Sequence, residues 1–141
     1  MATEIDRYEA TRSAWLFFAG ILLVLHGTVD VVNGLWAIDR GDNIINTVGF
    51  DKLETWGWIH LVVGVLIAAV GLCIILGQRW AIMVGIGLAS LGLIMNVFWL
   101  YDFPMHALVS VILAVLALYG LIMYGPTGDE TELELQEEVV D

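Results

Sequence analysis

The stretch AWLFFAGILLVLHGTVDVVNGLWA, residues Ala14–Ala37, decides what kind of protein this is. Its 24 residues rise about 1.5 Å each as a helix and so reach roughly 36 Å, enough to cross a bilayer. The second half nevertheless holds His26, Asp30 and Asn33, which a segment built only to anchor would not need. Gly20, Gly27 and Gly34 share its face with them.

Working outward, three further apolar runs follow at Trp56–Leu76, Trp80–Leu100 and Met105–Tyr124. Together with the first they use most of the 141 residues, and 60% of the chain is hydrophobic, with a mean hydropathy of +0.87. Such values lie far outside the range of soluble domains. The expected architecture is therefore an all-α, integral membrane four-helix bundle spanning residues 14–124. A polar segment, residues 1–13, precedes it on the cytoplasmic side and an acidic tail, residues 125–141, follows. All six tryptophans fall at run ends, as Trp15, Trp36, Trp56, Trp58, Trp80 and Trp99. This is the aromatic belt of a membrane–water interface, and it supports the span count independently of hydropathy.

The connections are short. Gly77-Gln-Arg79 makes the second and third helices antiparallel neighbours, and Pro104 belongs in the first turn of the fourth, where its missing N–H costs little. The loop 38–55 is the one sizeable connection, and Arg40-Gly-Asp-Asn within it is turn chemistry. Arg7, Arg12 and Arg79 on one side against Arg40 and Lys52 on the other places both termini in the cytoplasm and the protein in the cytoplasmic membrane. No cleaved signal peptide is expected, since the first run is long and follows an acidic rather than a basic segment.

The net charge of −11 is concentrated at one end, with seven of the sixteen acidic residues after Gly125. That tail reads as solvated and disordered, with Leu133 and Leu135 alternating with glutamate as the alternative of a partner-binding strand. Five scattered Lys and Arg cannot neutralise a phosphate backbone, which excludes nucleic-acid binding. The single Cys73 excludes an internal disulfide and any CxxC motif. No nucleophile elbow, phosphate-binding loop or paired-carboxylate motif is present.

Glycines recur every seven residues: Gly20, Gly27, Gly34 in the first helix, Gly57, Gly64, Gly71 in the second, and Gly85, Gly92 in the third. A seven-residue period keeps a stripe on one neighbour. Small residues there let helices approach closely where lipid supplies no hydrophobic drive for association. Trp-x4-Gly-x6-Gly occurs in both the first and third helices, which hints at two hairpins related as a parallel repeat.

At 100° per residue, His26, Asp30 and Asn33 fall within a sector of about 60°, and Asp30 lies about 40° from Gly34. His60 lies beside the stripe of the second helix and Asn96 on that of the third. Asp30, Asn33, His60, Asn96 and His106 belong to the same leaflet half, with His26 near the midplane, so they can converge on a pocket opening opposite the termini. Polar groups at that depth should face the bundle and satisfy one another. Two readings stand. One is an interhelical hydrogen-bond clasp in which Asp30 is either protonated or paired with His26 at i+4. The other is a site: a proton relay, a pocket for a cation or polar ligand, or, as a third class, haem or a metal on His26 and His60 with Asp30 orienting an imidazole.

Trp15-Leu-Phe-Phe-Ala-Gly-Ile, Asp30-Val-Val-Asn-Gly-Leu, Thr55-Trp-Gly-Trp-Ile-His-Leu-Val-Val-Gly and Gly77-Gln-Arg-Trp-Ala together resemble a family of small actinobacterial four-span membrane proteins known only as a domain of unknown function. The resemblance covers roughly residues 13–125 and implies four helices with His60 inside the family motif; it supplies no activity. Where such proteins often carry a longer first loop and a polar residue in the fourth helix, this chain has a compact loop and Ala114-Val-Leu-Ala, which weakens the case for a site that needs the fourth helix. The expected function is an accessory or scaffold unit, not an enzyme, without a bound cofactor, that self-associates or joins another membrane protein in the bilayer. The alternative is transport or small-ligand binding through His26, Asp30, Asn33, His60 and Asn96.

Overall fold

The computed structural model describes residues 4–40, 53–101 and 104–125. They form four helices, α1 (Glu4–Arg40), α2 (Leu53–Ile75), α3 (Arg79–Trp99) and α4 (Pro104–Tyr124). Each is long and apolar enough to cross a membrane, so this is an all-α, multi-pass membrane protein. The loop between α1 and α2, with its turn-forming residues, and the acidic tail lie largely outside the described residues.

Helix is the state this composition requires, because in hydrocarbon every backbone N–H and C=O must be satisfied within its own segment. Hydroxyls obey the same constraint. Thr28 and Ser90 donate to the carbonyls of Val24 and Ile86, four residues back, at 2.7 and 2.8 Å. α1 starts well before the apolar run, and its 37 residues reach about 56 Å, past the hydrocarbon on the side of the termini. There Arg12 Nε donates to the carbonyl of Tyr124 at 3.0 Å, satisfying one of the orphan carbonyls at the end of α4 with a favourably placed positive charge. The Trp15 ring stacks on Tyr124, centroids 5.3 Å apart and 2° from parallel.

α2 stops at a glycine cap. Gly77 takes φ of +79°, and Gly77 N–H and Gln78 N–H donate to the carbonyls of Ile74 and Cys73, both at 2.9 Å. This Schellman pattern needs a left-handed residue, and it turns the chain directly into α3. α4 begins at Pro104.

The helices form a ring in which each packs on its sequence neighbour and α4 closes on α1. The α1–α2 seam runs backbone on backbone. Gly20 faces Gly71, Gly27 faces Gly64 and Gly34 faces Gly57, an antiparallel register repeated position by position. A Cβ added at Gly34 would lie 2.7 Å from the Gly57 carbonyl oxygen, one at Gly64 would lie 2.7 Å from that of Gly27, and one at Gly27 would collide with the Gly64 carbonyl oxygen. On α3 the same period does something else. Gly85 faces the side chains of Ile74, Leu121 and Leu23, and Gly92 faces the imidazole of His26. Leu23, Ile67, Ile74, Ala89, Ala117 and Leu121 fill the apolar core between these levels.

Candidate functional site

The polar face of α1 does not turn toward α2, where the glycine seam leaves no room, but toward α3 and α4. His26 and Asp30 are buried, at 0% and 1% exposure, among residues of those helices. Asp30 Oδ1 accepts two hydrogen bonds, from Asn96 Nδ2 at 3.2 Å and from Ser110 Oγ at 3.3 Å. Its other oxygen lies 3.6 Å from His26 Nε2, an electrostatic pairing just beyond hydrogen-bond length. The histidine fits because α3 has a glycine opposite it: a Cβ at Gly92 would sit 2.7 Å from Nε2. Neither ring nitrogen of His26 has a hydrogen-bond partner among the described residues.

Above this buried layer, toward the end of the bundle remote from the termini, lies a cleft of about 210 Å3 to which all four helices contribute. Asn33, Trp36 and Ala37 come from α1, Trp56 and His60 from α2, Asn96 and Trp99 from α3, and His106 and Ala107 from α4. The Trp99 ring stands nearly perpendicular to both the Trp56 and the His60 rings, with centroids 6.3 and 5.8 Å apart. His60 Nδ1 is 3.0 Å from the Trp56 carbonyl oxygen, and a carbonyl only accepts, so Nδ1 carries the proton and donates. Asn96 has its amide hydrogens engaged by Asp30 and by the Gly92 carbonyl at 2.9 Å. Asn96 is thus shared: it lines the cleft and holds Asp30 from the same amide.

The residues read from sequence as one cluster divide into two levels. His26 and Asp30 lie in the sealed layer, Asn33 and His60 in the cleft, and Asn96 in both. His26, Asp30 and His60 do not converge as a metal-ligand set; among the described residues no group of three His, Cys, Asp or Glu does.

The case against a site needing the fourth helix does not hold, since Ser110 bonds Asp30 and His106 and Ala107 line the cleft. Ser110 was detectable: Ala107, Ser110, Ala114 and Ala117 are small residues at helical spacing, all buried, and a serine inside such a stripe faces the bundle. Trp36, Trp56 and Trp99, read as membrane-interface anchors, are walls of the cleft. Position at a helix end gives the same sequence signal for either role.

A carboxylate and an imidazole joined through one amide to an accessible aromatic cleft can bind a polar group and can hold or pass a proton. Residues 15–126 match the family described as "Domain of unknown function (DUF7144)". The chain belongs to that family. The DUF7144 match runs from Trp15 beyond the end of α4 and so includes every residue of the sealed layer and of the cleft. No curated protein and no solved structure matches the chain.

Proposed function

We propose that the protein binds a small ligand within the cell membrane, in the cleft among its four helices, as a receptor or transport unit with both termini in the cytoplasm. The observation that carries this reading is a cleft of about 210 Å3 lined from every helix by three tryptophans and by Asn33, His60, Asn96 and His106. Ligand sites have this character: concave and mostly apolar, with a few placed polar groups. An apolar cavity of about 150 Å3 is known to hold benzene, so the cleft suits a molecule of one-ring size or slightly larger. Asp30 and His26 support its floor through Asn96.

The test is native mass spectrometry of protein taken gently from its own membrane, compared with Ala37→Trp, which fills the cleft. A bound small mass present on the natural protein and lost from a folded variant supports the reading. No retained mass on either protein, across several mild detergents, counts against it.

An accessory role with self-association is the second reading. Gly87 favours it, because among the described residues nothing lies within 4 Å of a Cβ placed there, and exposed Met83, Leu91 and Ile94 flank it on the outer face of α3. A small residue on a lipid-facing surface permits close helix approach. The glycines at 20, 27, 34, 57, 64 and 71 face each other within the chain and offer no such surface. A defined oligomer in detergent that dissociates in Gly87→Leu would support this second role, and a monomer throughout would remove it.

A further inference from the structure

We infer that the ligand of the cleft is a protonated amine, an organic ammonium ion carrying at least one N–H and about one ring in size. This rests on the binding reading above and adds the chemical class.

The polarity of the cleft follows from bonds already fixed. Because His60 Nδ1 donates to the Trp56 carbonyl, the neutral ring has its lone pair at Nε2, on the edge turned away from its own backbone. Among the described residues nothing bonds that nitrogen, and it is not among the sealed unpartnered atoms. Because both amide hydrogens of Asn96 point at acceptors, Asp30 and the Gly92 carbonyl, what Asn96 has left is its carbonyl oxygen. Donating to a carboxyl group further polarises that oxygen, since hydrogen bonds in series strengthen one another. The two groups whose orientation the structure dictates are therefore both acceptors, one on α2 and one on α3. Asn33 and His106 can each turn a donor or an acceptor inward, so neither opposes this polarity.

Acceptors alone would also suit an alcohol. Three further features favour a cation. Trp36, Trp56 and Trp99 line the same space, and indole rings attract ammonium groups most strongly where water is excluded. Among the described residues no lysine or arginine lines the cleft, so its described walls offer an anion no lysine or arginine counter-charge. Asp30, with His26 beside it, stands directly behind Asn96, and exposed Asp39 lies one turn beyond Trp36 on α1. The exposed Asp39 carboxylate biases the field at the mouth toward positive ligands.

The chemistry is shared by a free amine and by the headgroup of an aminophospholipid, and the experiment separates them. Full-length protein in maltoside micelles is titrated at pH 7 with benzylammonium, benzyl alcohol, toluene, benzoate and benzyltrimethylammonium, reading tryptophan fluorescence against micelles alone. Benzylammonium is expected to bind at least tenfold more tightly than benzyl alcohol or benzyltrimethylammonium, and benzoate least. His60→Phe, which keeps a ring against Trp99 but removes the acceptor, should weaken benzylammonium about tenfold and leave toluene unchanged. Phosphatidylethanolamine that competes where phosphatidylglycerol does not assigns the amine to a lipid; no competition by either assigns it to a free solute. Toluene or benzoate binding as tightly as benzylammonium overturns the ammonium assignment while leaving the cleft a binding site. Equal binding of benzyltrimethylammonium overturns the role of the acceptors. If none of the five probes binds, the cleft reading falls with it.

Discussion

The two sides of α1 show one device put to two uses. Against α2, glycine meets glycine, and the backbones come so close that an added methyl group at Gly27 or Gly34 would strike a carbonyl oxygen or amide of the other helix. Against α3, glycine meets a side chain, and the space left by Gly92 is taken by the imidazole of His26. The first contact is rigid because backbone cannot move aside without unwinding a helix. The second is adjustable because an imidazole has rotatable bonds. A seven-residue glycine repeat thus builds a fixed seam on one face and a polar interior on the other. The seam holds α1 so that its carboxylate is presented to α3 and α4.

The contrast is sharpest for added methyl groups. Gly27→Ala should be the most damaging of the changes considered, by about 3 kcal/mol or more, since overpacking against backbone lies at the upper end of its usual range. Unfolding in mixed micelles followed by circular dichroism would measure it, and a loss no larger than that of Gly92→Ala would break the distinction between the two faces. Asp30→Ala comes next, at about 2 kcal/mol, because it leaves the buried Asn96 and Ser110 donors without their acceptor. Asp30→Asn should retain the fold; if it abolishes ligand binding while the unfolding curve is preserved, the layer is more than a clasp.

Gly92→Ala is expected to cost about 1 kcal/mol, the low end of overpacking, with a change in the His26 imidazole resonances, seen by NMR of ring-labelled protein, as the specific sign that the ring has moved. Ser110→Ala should cost about 0.6 kcal/mol, the average measured for interhelical hydrogen bonds in membranes; the same unfolding assay reads it. Gly87→Ala should fall within about 0.5 kcal/mol of the natural protein, because nothing described lies near the added carbon. A large loss in stability there would reveal a packed neighbour from a second molecule.

Much of the fold was legible because it depends on local properties. Four runs of sufficient apolar length, tryptophans at their ends, a glycine before Gln78 and a proline at position 104 each act over a few residues, and the helices follow them. The site was legible only as residue types at one depth. Helical spacing put His26, Asp30 and Asn33 on one side of α1, yet a sector of about 60° is wide enough to hold both the sealed layer and the cleft. Ser110 escaped notice because a lone serine in an apolar run is common, and its significance comes from an aspartate 80 residues earlier in the chain.

Residue order alone is enough to say that the chain crosses a membrane as four helices and that its first span carries ionisable groups too deep to face lipid. Hydropathy, length and the cost of unpaired polar atoms decide those matters segment by segment. Packing in three dimensions is what makes Asn96 connect Asp30 to an aromatic cleft, sets His60 in its wall, and brings the fourth helix into the site. Each depends on the rotation of one helix about its axis relative to another, which is set by how the glycine seam seats α1 on α2 and by what room remains on the adjoining face.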